Sequence, residues 1–214
     1  FCLHLLWRFE MEDNRTSFLN RCHLVMKRDE VMVVELAYLL AKRFHKGQFR
    51  KEIDEQGNPV RYFEHVRRTA IHLLDLGVRD CATICTALLH DMVEDTEDQQ
   101  LAVTLLNTAF VNYPEVEESV RALTKIPKEG YMERLAASMA LPRGDIVLLV
   151  KMADRFDNLS TLPAHDEAFC KKQLKETKEK LLPVFTQGAA NARPEFRTVH
   201  SALMLKFGGL LKDF

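Results

Sequence analysis

An all-α bundle of about nine helices is the fold that the sequence predicts. Three observations predict it. Apolar residues recur with a 3.6-residue period, strand-like alternation is almost absent, and Gly or Pro breaks separate the periodic stretches at short intervals. No internal repeat or long linker divides the chain, so residues 27–214 are expected to form one domain.

The elements follow in order. Asp29 is a candidate cap for a helix whose apolar positions are Val33, Leu36, Ala37, Leu40, Ala41 and Phe44, ending near Gly47. Residues 47–60 hold two Gly, one Pro and many charges and read as a loop. A second helix spans about residues 63–76, with Gly77 as its stop. A third, about residues 81–93, is apolar on nearly all sides and should be central. Helices are expected next at 101–112, at 116–123 after Pro114, and at 131–140 after the Pro127–Gly130 break. Pro142 and Gly144 precede a helix at 145–159 that carries the buried-looking run Ile146-Val147-Leu148-Leu149-Val150. Beyond Pro163, residues 166–182 read as a charged amphipathic helix and 195–205 as a last one.

Composition narrows the function classes. The chain has 214 residues, 47% hydrophobic and 29% charged, with a formal net charge of -1. That balance fits a soluble domain and gives no basic bias toward nucleic acid. No apolar run approaches the ~20 residues needed to span a bilayer. Five scattered cysteines without a Cys-x-x-Cys fit reduced thiols in the cytoplasm, and Cys81 and Cys85 read as small buried hydrophobes. Residues 1–26 do not begin with Met and read as an extension, upstream translation or a docking arm, with Met11 or Met26 as candidate natural starts. The sequence leaves open whether the chain is a fragment and whether it forms a homo-oligomer.

The chemistry concentrates in Ala87-Leu88-Leu89-His90-Asp91-Met92-Val93-Glu94-Asp95-Thr96. On a continued helix, His90 with Glu94 and Asp91 with Asp95 share a face. An imidazole and three carboxylates beside an apolar run are costly to bury without a partner, and a divalent cation is the natural one. His65, at the start of the second helix, and Asp154, at the end of another very apolar helix, complete a set of two His and two Asp. Mixed imidazole and carboxylate ligands suit manganese, iron or zinc, and open positions on such an ion activate water and polarise a phosphoryl group. The alternatives are a capping His65, a satisfied core His90, and an Asp154 paired with Arg155 or Lys151. Glu94 and Asp95 suit water activation, or equally a solvated helix end, since Glu97 and Asp98 follow. Lys46, Arg50 and Lys51 flank a Gly in a cationic loop, which suits polyphosphate if it adjoins the metal and is otherwise a solvated charge run.

These pieces resemble the hydrolase domain of the RelA/SpoT family within the HD phosphohydrolase superfamily, and most of all the stand-alone small alarmone hydrolases of the Mesh type. The resemblance rests on His45-x-Gly47-Gln48-x-Arg50-Lys51, Tyr62-x-x-His65, the His90-Asp91-x-Val93-Glu94-Asp95-Thr96 run, Leu123-Thr124-Lys125, and Lys151-x-Ala153-Asp154-Arg155-x-x-Asn158-Leu159-x-Thr161-Leu162. It covers about residues 30–185. It implies an HD-domain helical bundle with one manganese ion per chain on His65, His90, Asp91 and Asp154. It also implies Glu94 and Asp95 as the acid pair that activates water. Lys46, Arg50, Lys51, Lys151, Arg155, Asn158 and Thr161 would lie on the substrate side, with Arg50 against the base and Lys51 near the phosphates. The implied reaction is release of pyrophosphate from the 3′ position of ppGpp or pppGpp.

The chain departs from the family pattern in four places. The loop between Lys51 and Tyr62 is longer, with Glu52, Asp54 and Glu55. Val66 follows His65 in place of Pro. Leu181 or Leu182 stands where a Tyr is common, and Asp157 where His or Tyr is usual. Three of these fall near the expected nucleotide pocket, which keeps an adenine alarmone, (p)ppApp, another nucleotide, or a sensing module without hydrolysis as alternatives. About thirty residues follow Leu182, too few for the synthetase domain of the family's long members.

Overall fold

The computed structural model describes residues 14–126 and 128–212. It is predominantly helical, with one small hairpin. Helix α1 (Arg15–His23) starts at Asn14, whose side chain accepts from Ser17 N at 3.0 Å. It buries Phe18 and Cys22 against the core. Of the expected 1–26 extension, residues 1–13 lie outside the described residues, and from Asn14 onward the chain packs as part of the bundle.

Helix α2 (Arg28–Phe44) is capped differently from the sequence expectation. Lys27 is the cap, and Glu30 rather than Asp29 closes it by accepting from Lys27 N at 2.9 Å. Its apolar stripe turns Val31, Val34, Ala37, Tyr38 and Ala41 inward.

The expected loop at 47–60 is instead an antiparallel hairpin, β1 (Phe49–Ile53) with β2 (Pro59–Arg61). Its turn is built by Asp54, whose carboxylate accepts from Gln56 N and Asn58 N, while Gly57 takes a left-handed φ of 83°. Residues alternate between exposed and half-buried along β1, so Arg50 and Glu52 share its inner face. The pairing is irregular between Phe49 and Ile53, the stretch that carries Arg50 and Lys51.

Helix α3 (Tyr62–Asp75) follows directly, and α4 (Cys81–Leu89) is buried along its whole length, as its composition predicts. It packs against α2, α3, α6 (Pro114–Leu123) and α8 (Gly144–Ser160). Helices α5 (Gln99–Ala109) and α7 (Tyr131–Met139) flank this centre. Gly144 opens α8 at a close crossing, where a Cβ would lie 2.4 Å from the Ser138 carbonyl. The expected single helix at 166–182 is divided into α9 (Glu167–Glu176), a π-helical turn (Thr177–Leu181) and α10 (Leu182–Gly188). Pro183 lacks the N–H that an unbroken α-helix would need. Helix α11 (Pro194–Leu210) closes the bundle against α8. Cys81 and Cys85 are buried thiols, as the sequence suggests, and so is Cys22. Among the described residues no helix is long and apolar enough to cross a membrane.

Asp80 anchors the start of α4. Its carboxylate accepts from Thr83 N at 2.9 Å and Thr83 Oγ1 at 2.6 Å, and pairs with Arg143 at 3.1 Å and Arg193 at 3.2 Å. Burial alone would raise its pKa, but the Thr83 bonds and the two guanidinium groups hold it below the ordinary value of 3.8. A depressed carboxylate stabilises the fold above its unfolded pKa and loses that contribution as pH falls. Asp80→Ala is therefore expected to cost about 1–2 kcal/mol at pH 7, with the gap to wild type narrowing below pH 3.8. Urea titrations at several pH values check this.

Candidate metal centre and adjoining pocket

Helix α4 stops one turn earlier than its apolar pattern suggests. It ends at Leu89, and residues 90–95 continue as tight turns. The cause is local. The His90 Nδ1 lies 2.9 Å from the Ala87 carbonyl, the group that the N–H of residue 91 would engage in a continuing helix. The Met92 N–H then turns back to Leu89 O at 2.9 Å, and Asp95 N to Asp91 O at 3.0 Å. The stripe expected along one helix face is therefore a folded-back turn, which lets Glu94 and Asp95 diverge.

His65 comes from the first turn of α3, His90 and Asp91 from the end of α4, and Asp154 from α8. The His65 Nε2 lies 3.2 Å from Asp154 Oδ1 and 3.6 Å from Asp91 Oδ2. The His90 Nε2 lies 3.1 Å from Asp91 Oδ2 and 3.8 Å from Asp154 Oδ1. Among the described residues, His65, His90 and Asp91 each present a ligand atom within 4.8 Å of the others. Both imidazoles are almost fully buried. The outer nitrogen of each is already bound, with His65 Nδ1 2.7 Å from Asp157 Oδ2 and His90 Nδ1 on the Ala87 carbonyl. Both partners are acceptors, so Nδ1 carries the proton and Nε2 is left facing the centre. The His90 Nε2 is buried without a hydrogen-bond partner, as a nitrogen kept for a cation would be. The donor set thus fits a divalent metal.

Electrostatics agree. Burial would lower the His90 pKa, but the Asp91 carboxylate and then Asp154 raise it to about 9. Burial would raise Asp91, which His90 instead holds well below 3.8. Asp154 is likewise held low against its burial, first by Lys151, whose Nζ donates at 2.6 Å, and by the two histidines.

The acids occupy two different settings. Glu94 Oε2 accepts from Lys125 N at 3.0 Å and lines a cavity of about 860 Å³ with Lys125, Lys128, Lys172 and Lys180. Asp95 faces a cavity of about 670 Å³ with Lys46 and Gln48. Burial, then the Asp91 charge, raises the Asp95 pKa to about 6.

Asp154 also opens onto a third cavity, of about 150 Å³, that gathers Arg50, Lys151, Arg155 and Asn158. The Arg50 guanidinium donates to Asn158 Oδ1 at 2.8 Å and Thr161 Oγ1 at 3.3 Å. Lys51 Nζ lies 5.9 Å from the Phe169 ring centre at the edge of this cavity. Lys151 and Arg155 are buried and already paired, the first with Asp154, the second with Glu176 at 2.7 Å and with Gln173. Lys46 alone of the expected substrate residues lies apart, in the Asp95 cavity.

Two residues absent from the expected site belong to it. Tyr62 Oη donates to Asp91 Oδ2 at 2.7 Å. Asp157 supports His65 from behind and does not line the cavity around Arg50 and Asn158, so its departure from the family pattern bears on the candidate metal centre. The signal for Tyr62 was its place three residues before His65, one helical turn away. For Asp157 it was the spacing from Asp154, which puts two carboxylates on one helix face.

A family model for the HD domain matches residues 37–190. The guanosine-3′,5′-bis(diphosphate) 3′-pyrophosphohydrolase of Aquifex aeolicus is 34% identical over 167 residues, covering 71% of this chain and 21% of that protein. A probable enzyme of the same name from Mycoplasma genitalium is 30% identical over 147 residues, covering 62% and 19%. A GTP pyrophosphokinase of Streptomyces coelicolor is 33% identical over 165 residues, covering 71% and 17%. The chain therefore spans about a fifth of the length of these curated relatives. A solved structure of a metazoan SpoT ortholog, described as hydrolysing ppGpp with a role in starvation responses, superposes with a TM-score of 0.58 at 22% identity. It covers 83% of this chain and 94% of that one, and so supports the fold.

A raised histidine pKa stabilises the fold below the unfolded value and loses that contribution as pH climbs through the folded one. For His90 the window runs from 6.5 to about 9. Chelator-treated protein is expected to melt at progressively lower temperature across that range. A saturating divalent cation, which takes the proton's place, should flatten the decline. Thermal melts with and without metal measure both.

Proposed function

The chain belongs to the HD-domain family, and on that premise we propose that it is a metal-dependent hydrolase that removes the 3′-pyrophosphate of guanosine alarmones. The products are pyrophosphate and GDP or GTP. One observation carries the reading: each of two imidazole Nε2 atoms lies within 3.8 Å of both the Asp91 and Asp154 carboxylates, directly beside the Arg50–Asn158–Thr161 cluster. The names of the curated relatives support the substrate class.

His65, His90, Asp91 and Asp154 would hold the ion, with manganese as the proposed metal. When bound, it supplies Lewis acidity toward water and a phosphoryl oxygen. The remaining work falls to the chain's own groups. Water attacks the 3′-linked phosphorus, the bond from that phosphorus to ribose O3′ breaks, and O3′ leaves with a proton. Asp95, with a pKa near 6, is partly protonated near neutrality and suits both receipt of the water proton and its return. Glu94 is fixed through one oxygen by the Lys125 N–H, which leaves the other to orient the water. Tyr62 steers Asp91 by its 2.7 Å bond. Arg50 offers a planar cation to the base or phosphates, and Asn158 and Thr161 set its position. The reaction is proposed to take place in the cytoplasm on a free nucleotide.

Manganese-supplemented protein is expected to release pyrophosphate from ppGpp, assayed beside ppApp with the products resolved. Asp91→Ala and Glu94→Ala should each reduce turnover by about 100-fold or more. The absence of pyrophosphate release from either nucleotide at full metal occupancy would overturn the assignment.

Arg50→Ala is expected to raise KM by about tenfold while leaving kcat within a few-fold, since it removes binding rather than proton transfer. Initial-rate kinetics on ppGpp separate the two.

A further inference from the structure

Two of the departures from the family pattern meet in space. Asp157 bonds His65 Nδ1 at 2.7 Å through one oxygen. Arg68, one turn beyond His65 on α3, grips the same carboxylate from Nε at 2.7 Å and Nη2 at 3.1 Å. The other side of that guanidinium holds Glu52 at 2.9 and 3.2 Å. Glu52 lies on β1, two residues from Arg50, whose Nε is 3.8 Å away. The result is an unbroken line of charged groups, Arg50–Glu52–Arg68–Asp157–His65, from the hairpin to the imidazole. Asp157 is nearly fully buried, and Arg68 is three-quarters covered. His72 adds a weaker contact to Asp157 at 3.5 Å, so Arg68 is the principal partner on that side.

We propose that Glu52, Arg68 and Asp157 are positioning residues that couple the hairpin bearing Arg50 and Lys51 to the orientation of the His65 ring, so that nucleotide contacts on the hairpin and metal affinity at His65 change together. The physical basis is the fork of the guanidinium. A planar group bonded by two atoms to each carboxylate transmits orientation, whereas a point charge would transmit only attraction. A buried carboxylate behind a ligating histidine fixes its tautomer and raises its basicity. Here that carboxylate is in turn aimed by Arg68, which the hairpin's Glu52 holds from the other side. The metal half of the proposal rests on the function proposed above. The coupling of hairpin to ring does not.

The test uses the full chain and reads two quantities. In chelator-treated protein, the exchange-protected Nδ1 proton of His65 is followed by NMR in wild type, Asp157→Asn, Arg68→Lys and Glu52→Ala. Manganese affinity is then measured by calorimetry on the same proteins, with thermal melts to confirm folding. Coupling predicts that Glu52→Ala, remote from the imidazole, shifts or broadens the His65 resonance. Arg68→Lys, which keeps the charge and loses the fork, should do the same. Asp157→Asn should weaken manganese binding by about 10–100-fold, Glu52→Ala by several-fold, and the double variant by no more than Asp157→Asn alone. A His65 resonance unchanged in Glu52→Ala overturns the proposal, as does full additivity in the double variant. Failure of the wild type to bind manganese while Glu52→Ala still perturbs His65 would overturn the metal reading and leave the coupling standing.

Discussion

Everything in this molecule is arranged around one electrostatic burden: four ionisable side chains held together beneath the surface. Two imidazole nitrogens, each within 3.8 Å of two buried carboxylates, carry a desolvation cost that their mutual attraction must offset. Here they are supported by a rigid apolar frame. Helix α4 is buried along its whole length and α8 along most of its own, and the charged groups appear where these helices end or cross. A core this apolar can present its ligands in only a narrow range of positions. The surrounding polar groups, Tyr62, Lys151, Asn158 and Asp157, each fix one atom of Asp91, Asp154 or His65. Deep burial thus gives the centre its precision, and the polar shell keeps that burial tolerable.

The turn at His90 shows how a single side chain reshapes the arrangement. By taking the Ala87 carbonyl, His90 ends its own helix and aims its free nitrogen inward. The fold-back that follows sends Glu94 toward the lysine-lined cavity and Asp95 toward the Gln48 side. An unbroken helix would have kept Glu94 in line with His90 and Asp95 in line with Asp91. Burial and the Asp91 charge, with a smaller push from Glu94, hold Asp95 near pKa 6.

How much of this was legible in the sequence depends on the range of the interaction involved. The two central helices were readable because unbroken apolar runs such as Ile146–Val150 have no exposed placement. His65, His90, Asp91 and Asp154 were readable as a group because each follows or interrupts such a run or a helix start. The β1–β2 hairpin was not readable. Its strands are short and heavily charged, and it forms through one aspartate folding a turn over Gly57. The early end of α4 was hidden because it depends on a side chain competing with the backbone for one carbonyl. The place of Asp157 was hidden because its partners, His65 and Arg68, are about ninety residues away in the chain. The start of α1 was missed because its caps and polar face outweigh its few buried positions.

The pairing of cations around the small cavity changes what selectivity means there. Arg50 is engaged by Asn158 and Thr161, Lys151 by Asp154, and Arg155 by Glu176. An anion that engages these three cations would do so by displacement, trading existing bonds for its own. Its net gain is the difference between two sets of contacts. A singly charged ligand has little to offer in that trade, whereas a chain of phosphates can outbid several internal partners at once. On the function proposed, these three paired cations would favour a ligand that brings several negative charges over one that brings a single charge.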